Sequence, residues 1–235
     1  MRLRTARAGS GRLNGLSAAL LAGFLVPVLA AGAATAQDYG GFSRRGAPGD
    51  FDFYVLALSW SPTYCAGEGA RRDEAQCASG RGLGFVLHGL WPQYARGYPE
   101  NCSAVDRPIT RQAMDAAGQV YPSEGLARYE WRKHGTCSGL DPAAYFAAAR
   151  TARLAVTIPE GLKAGGQRLA PIDIARQFVS ANQGLRPDMM AVACARGRLT
   201  EVRICLSKDL RGFTPCPDLA RGNCRAPEVA LDAAR

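Results

Sequence analysis

His88 and His134 are the only two histidines among the 235 residues. Histidine is the side chain best suited to exchanging protons near neutral pH. His88 ends an apolar run, Phe85 to Pro92 (FVLHGLWP), and is followed by a glycine, a tryptophan and a proline. A lone histidine so placed is more often structural than catalytic. The second histidine alters that weighing. In Glu130 to Cys137 (EWRKHGTC), Glu130, Lys133 and His134 stand at i, i+3 and i+4, so on a helix they share one face. A solvated face with an ordinary Glu-to-Lys pair is the bland alternative, worth only a few tenths of a kcal/mol. Three titratable or charged groups just before a Gly-Thr-Cys stop are more specific than that. Two imidazoles, one neutral and one protonated, can serve as base and acid, while Lys133 meets developing negative charge.

The elements that must hold these residues can be read from pattern. Phe51 to Trp60 (FDFYVLALSW) is dense in aromatic and branched residues and ends at Pro62, as a buried strand would. Gly84 to Leu90 reads as a second strand closed by Pro92. Leu126 to Cys137 has helical spacing, and Asp141-Pro142 supplies an N-cap followed by proline at the first position of an alanine-rich helix, Ala143 to Leu154. Pro171 to Asn182 repeats this pattern and stops at Gly184. Met189 to Ala195 and Leu199 to Leu206 flank Arg196-Gly197-Arg198 as a hairpin. The whole predicts an α+β domain. With 47% hydrophobic and 21% charged residues it falls in the ordinary globular range, so one core is expected.

Residues 1–36 read as a signal peptide: Arg2, Arg4, Arg7 and Arg12 precede a largely apolar Leu16 to Leu29, and Ala34-Thr35-Ala36 offers a cleavage site. Pro27 and the shortness of the apolar run argue against a retained membrane anchor. Removing the segment takes four of 29 basic residues and none of 20 acidic ones, lowering the net charge from +9 to +5. That surplus suits a nucleic acid, and equally plain solubility. Residues 37–49 read as a flexible lead-in, 50–225 as the domain and 226–235 as a C-terminal tail.

All eight cysteines (Cys65, Cys77, Cys102, Cys137, Cys194, Cys205, Cys216, Cys224) follow the proposed cleavage point, and an even count in an exported chain points to disulfides. A metal site is the alternative, but no CxxC knuckle or paired His-Cys cluster supports it. Eight cysteines allow about 105 pairings, and spacing does not choose among them.

HGLWP at His88 to Pro92 and EWRKHGTC at Glu130 to Cys137 resemble, in order, the two active-site signatures of the ribonuclease T2 family. The resemblance spans about residues 50 to 225. It includes Phe51 to Cys65, similar to the family's first strand, Tyr121-Pro122-Ser123, similar to its Trp-Pro-Ser loop, and Val202 to Leu210, similar to its late strand. It implies a disulfide-stapled single α+β domain with a central antiparallel sheet flanked by helices. The implied bridges are Cys65–Cys77, Cys102–Cys137, Cys194–Cys224 and Cys205–Cys216, the second anchoring the catalytic helix.

The activity implied is cleavage of single-stranded RNA. The ribose 2′-hydroxyl attacks the adjacent phosphorus, giving a 2′,3′-cyclic phosphate and then a 3′-phosphate. By resemblance His134 is the base and His88 the acid, exchanging roles when water opens the cyclic ester. Lys133 stabilises the transition state, and Glu130 orients Lys133 or, if protonated, donates to phosphate. No metal or cofactor is required, because the nucleophile belongs to the substrate. Bases are held largely by stacking. Trp91 is the candidate by resemblance, with Tyr94 and Tyr98 as neighbours and Pro122 and Ser123 in the adjoining loop; Trp60 and Trp131 are expected in the core.

Several positions depart from the family pattern. Tyr129 replaces a frequent third histidine that contacts phosphate, Ser59 replaces a glutamine, Leu126 an aromatic and Gln93 an acidic base-reading residue of some members. The expected protein is a monomer, secreted or periplasmic, whose partner is RNA. A secreted RNA-binding or inhibitory protein of the same fold is the alternative.

Overall fold

The computed structural model describes residues 43–44, 46–69, 75–103 and 108–234. The stretch 1–36 read as a signal peptide and the first part of the expected lead-in lie outside them. The strands are β1 (Ser43–Arg44), β2 (Phe53–Trp60), β3 (Phe85–Gln93), β4 (Tyr98–Pro99), β5 (Gln167–Leu169), β6 (Met190–Ala195), β7 (Arg198–Ser207) and β8 (Val229–Leu231). The longer helices are α1 (Arg111–Gly118), α2 (Glu124–Lys133), α3 (Pro142–Leu154) and α4 (Pro171–Ala181).

The α+β class is as expected, and the sheet differs in detail. β3, β2 and β7 are antiparallel neighbours, β6 pairs antiparallel with β7, and β5 with β8. β8 meets β7 in parallel at Arg198 and Ala230, so the sheet is mixed rather than purely antiparallel. β8 also corrects the reading of 226–235 as a tail: Val229 and Leu231 are buried, and the Trp60 indole donates to the Asp232 carbonyl at 3.1 Å. Three residues are too few to display a period, so the strand gives no local signal. Part of the lead-in is likewise built in, because β1 pairs with β4 and the Gly49 amide donates to the Cys137 carbonyl at 2.9 Å.

Strand alternation creates two faces. Leu56, Leu58 and Trp60 of β2 and Val202, Ile204 and Leu206 of β7 join Tyr145, Phe146, Ile174 and Phe178 of the helices in the main core. Val55 and Cys205 lie in a second, smaller cluster with Trp91 packed against it. Glu201 and Arg203 alternate with the inward residues of β7. β3 interrupts the alternation: Leu87 pairs with Leu58 but Gly89 pairs with Ala57, leaving His88 as the extra residue of a β-bulge. Leu87 and Leu90 can thus both face the core while His88, Gly89 and Trp91 share the other face. The predicted β6–β7 hairpin forms, with positive φ at Arg196 (51°) and Gly197 (73°), as a two-residue turn of this kind needs.

α2 starts on Ser123, whose side chain accepts from the Leu126 amide at 3.3 Å. It ends earlier than its spacing predicts: His134 is the C-cap, and Gly135–Cys137 form a 3₁₀ turn. A Cβ at Gly135 would overlap the Trp131 ring, so a glycine permits this tight exit. The disulfides are Cys65–Cys77, Cys102–Cys137, Cys194–Cys224 and Cys205–Cys216, the pairs the resemblance implies. The second ties the turn after His134 to the segment following β4, where the Asn101 amide also donates to the Lys133 carbonyl at 2.8 Å.

Candidate active site

The bulge of β3, the outward face of β7 and the C-terminal end of α2 converge on one spot. His88 Nδ1 lies 2.6 Å from Glu201 Oε1, and its Nε2 lies 3.6 Å from Glu130 Oε1. Trp91 Nε1 donates to Glu130 Oε2 at 2.7 Å. The Trp91 ring centroid is 5.2 Å from the rings of both His88 and His134, so this indole links the two histidines. Gly89 makes the arrangement possible, because a Cβ there would overlap the Glu130 carboxylate and Trp91 Nε1.

Burial and charge set the protonation states. Desolvation pushes the Glu130 carboxyl up to about 7, although His88 and the Trp91 hydrogen bond pull it down. Burial would also raise Glu201, but Arg203 and His88 more than reverse this and hold it at about 2. For His88, desolvation favours the neutral ring, yet the charge and hydrogen bond of Glu201, aided by Glu130, leave its pKa above the ordinary value. For His134, desolvation acts with the positive charges of Lys133, His88 and Arg203 to push its pKa well below the ordinary value. The two imidazoles are therefore shifted in opposite directions, His88 toward its protonated form and His134 toward its neutral one.

Of the residues singled out in the sequence, His88, Trp91, Glu130 and His134 come together. Glu130 and His134 are buried, while His88 keeps about a third of its side chain exposed at 34%. Lys133 is beside them but pairs with Glu100 at 3.9 Å and lies 5.7 Å over the Tyr129 ring, so Glu130 is engaged with Trp91 and His88 more closely than with Lys133. Desolvation works against the Lys133 ammonium, but Tyr129, Glu100 and Tyr98 outweigh it and raise its pKa. Tyr98 reaches the site, its ring 6.4 Å from that of His134. Tyr94 does not present a ring face: it is 8% exposed, and its hydroxyl donates to Asp50 at 3.5 Å. Tyr94 follows β3 directly, its amide donates to the Gly97 carbonyl at 3.0 Å, and its ring is buried rather than offered to a base. Ser123 caps α2 and Pro122 is half-buried beside it. Trp60 and Trp131 are core residues, as expected.

Glu201, Arg203 and Glu100 were not singled out. Arg203 Nε donates to Glu201 Oε2 at 2.5 Å and its guanidinium carbon lies 5.1 Å from the Trp91 ring centre. Two charged residues at i and i+2, alternating with the inward Val202 and Ile204 of the strand, were the available signal.

The ribonuclease T2 family model matches residues 51–216, which contain all of these groups. The chain belongs to the ribonuclease T2 family. A ribonuclease of Aeromonas hydrophila is 39% identical over 204 residues, covering 81% of this chain and 90% of that one. Ribonuclease DdI of Dictyostelium discoideum is 28% identical over 227 residues, covering 89% and 95%. Among solved structures, RNase NT in complex with 5′-AMP superposes with a TM-score of 0.61 at 22% identity, covering 78% of this chain and 99% of that one, a likeness of fold. The two T2 signatures are thus joined in space by the Trp91–Glu130 hydrogen bond: HGLWP supplies donor and bulge, EWRKHGTC the carboxyl and the helix exit.

Proposed function

We propose that the protein is a metal-independent endoribonuclease that cleaves single-stranded RNA through a 2′,3′-cyclic phosphate to 3′-phosphate ends. The observation that carries this reading is the pair of imidazoles flanking Trp91 with pKa values displaced in opposite directions. His134, neutral, takes the proton of the 2′-hydroxyl. The oxygen attacks phosphorus, and His88, charged, gives its proton to the departing 5′-oxygen. In the second step His88 takes a proton from water, which attacks the cyclic ester, and His134 returns a proton to the 2′-oxygen. Negative charge growing on the non-bridging oxygens is met by Lys133 and by Glu130, whose carboxyl is protonated over much of the acid range and can donate a hydrogen bond. Trp91 and Tyr98 offer aromatic surface for a base.

Membership of the T2 family and the ribonuclease names of its relatives support RNA as the substrate. The leader-like pattern of residues 1–36 and four disulfides support export to the periplasm or medium. No helix of the described residues is long and apolar enough to cross a membrane. The protein acts as a monomer in this reading.

The test is to incubate the protein with RNA in excess chelator and analyse the new ends. Cyclic phosphate appearing first and 3′-phosphate later is the expected result. Intact RNA, or cleavage that vanishes with chelator, would overturn the proposal; retained RNA binding without cleavage would favour the binding protein instead.

A further inference from the structure

We propose that Glu201, braced by Arg203, is the positioning residue that presents His88 as the leaving-group acid. The inference deepens the ribonuclease reading and rests on it. Glu201 is 5% exposed, on the face of β7 that looks across Ala57 and Ser59 of β2 to the bulge of β3. Both its oxygens are engaged. Oε1 accepts from His88 Nδ1 at 2.6 Å and from the Ser59 hydroxyl at 3.4 Å, and Oε2 accepts from Arg203 Nε at 2.5 Å.

The contact fixes the tautomer and the direction of the imidazole. A carboxylate accepts only, so Nδ1 must carry a hydrogen. The proton available for transfer is then the one on Nε2. Glu130 Oε1, at 3.6 Å, is too far to hold that proton in a hydrogen bond, so it remains deliverable. Arg203 has a second effect: its cation counters the charge that Glu201 imposes on His88, and its guanidinium lies against Trp91, the same indole that holds Glu130. The titratable and charged groups facing His88 are Glu130 and His134 from α2 and its exit, and Glu201 and Arg203 from β7; β2 contributes the neutral Ser59, bonded to Glu201, and β3 the neutral Trp91.

A merely structural ion pair between Glu201 and Arg203 makes different predictions. With Glu201→Gln, a dinucleotide whose leaving group is a poor alkoxide should lose on the order of 10²-fold in kcat, the scale of general acid catalysis. The matching nucleoside 3′-(4-nitrophenyl phosphate), whose leaving group needs no proton, should lose less than about threefold. Each of the four bases is run, so base preference does not confound the ratio. An equal loss on both substrates overturns the proposal. Because the chain has two histidines, two Cε1–H resonances report their titrations separately. Glu201→Gln should lower the titration midpoint of His88, and Arg203→Gln should raise it. If Glu201→Gln fails to fold, Arg203→Gln decides: an absent or downward shift overturns the proposal. Wild-type protein that leaves both substrates intact overturns the ribonuclease reading and the acid role with it. A His88 resonance unmoved by Glu201→Gln overturns the Glu201 contact alone.

Discussion

Adding one methyl group at Gly89 should disable the site while leaving the fold in place. The φ of Gly89 lies outside the left-handed region, so alanine meets no backbone penalty there. The penalty is steric. The new Cβ would overlap the Glu130 carboxylate and Trp91 Nε1, and the carboxylate must retreat by on the order of 1 Å to restore ordinary contact. Overpacking of this kind costs about 1–3 kcal/mol. For a domain of this size each kcal/mol lowers Tm by about 2–4 °C, so Gly89→Ala should melt about 2–12 °C below wild type yet fold at 25 °C. Catalysis should suffer more. A displacement of about 1 Å at reacting groups can cost 10²-fold, and both Glu130 and the adjacent His88 are displaced. Steady-state kinetics on an RNA dinucleotide, with a thermal melt on the same sample, provides the assay. Wild-type kcat/KM within about threefold at a native Tm would refute the close packing described at Gly89.

His88→Ala and His134→Ala should each reduce cleavage by about 10²–10⁴-fold, the range for a lost acid or base, with only a small change in Tm; a large fall in Tm for either would support a structural role. Glu130→Gln should gain stability relative to wild type as pH rises. The folded-state pKa of Glu130 is raised to about 7, so the stability it contributes is complete below about 4.5 and lost on passing through 7. Unfolding free energies from urea melts across that window should diverge by on the order of 3 kcal/mol, and parallel curves would contradict the pKa direction. Replacing Cys102 and Cys137 together by serine should cost about 2–5 kcal/mol and loosen the exit of α2, seen as a lower Tm and a fall in kcat; unchanged activity would show that the disulfide does not position His134.

The clustering of His88, Trp91, Glu130 and His134 was legible because these residues lie in two short motifs whose spacing has a local meaning. Helical periodicity places Glu130, Lys133 and His134 on neighbouring positions without any tertiary information. The bulge left a subtler trace: Leu87 and Leu90 both face the core three residues apart, where an uninterrupted strand would place inward residues two apart. Glu201 was hidden because its role depends on the register between β2 and β7, which pairs it with Ser59 across 142 residues of sequence. Tyr94 and Tyr98 look alike in sequence, and only the tertiary path of the chain after β3 separates a buried phenol from one beside His134. β8 gave no signal for a similar reason, since three residues gain strand character only from the neighbours they pair with. The hairpin, the Asp141 N-cap and the core tryptophans were readable because turn chemistry and burial of large apolar rings are local or nearly so.

The central claim is that the nucleophile is the substrate's own 2′-hydroxyl, moved by His134 and His88 without a metal. It is tested most directly by an RNA oligomer in which one nucleotide at a time carries 2′-deoxyribose, digested in chelator and resolved at single-bond resolution. Each substitution should protect the bond on its own 3′ side and leave the others cleaved. Cleavage continuing at the substituted bond would contradict the account, because the attacking oxygen would then have to come from elsewhere.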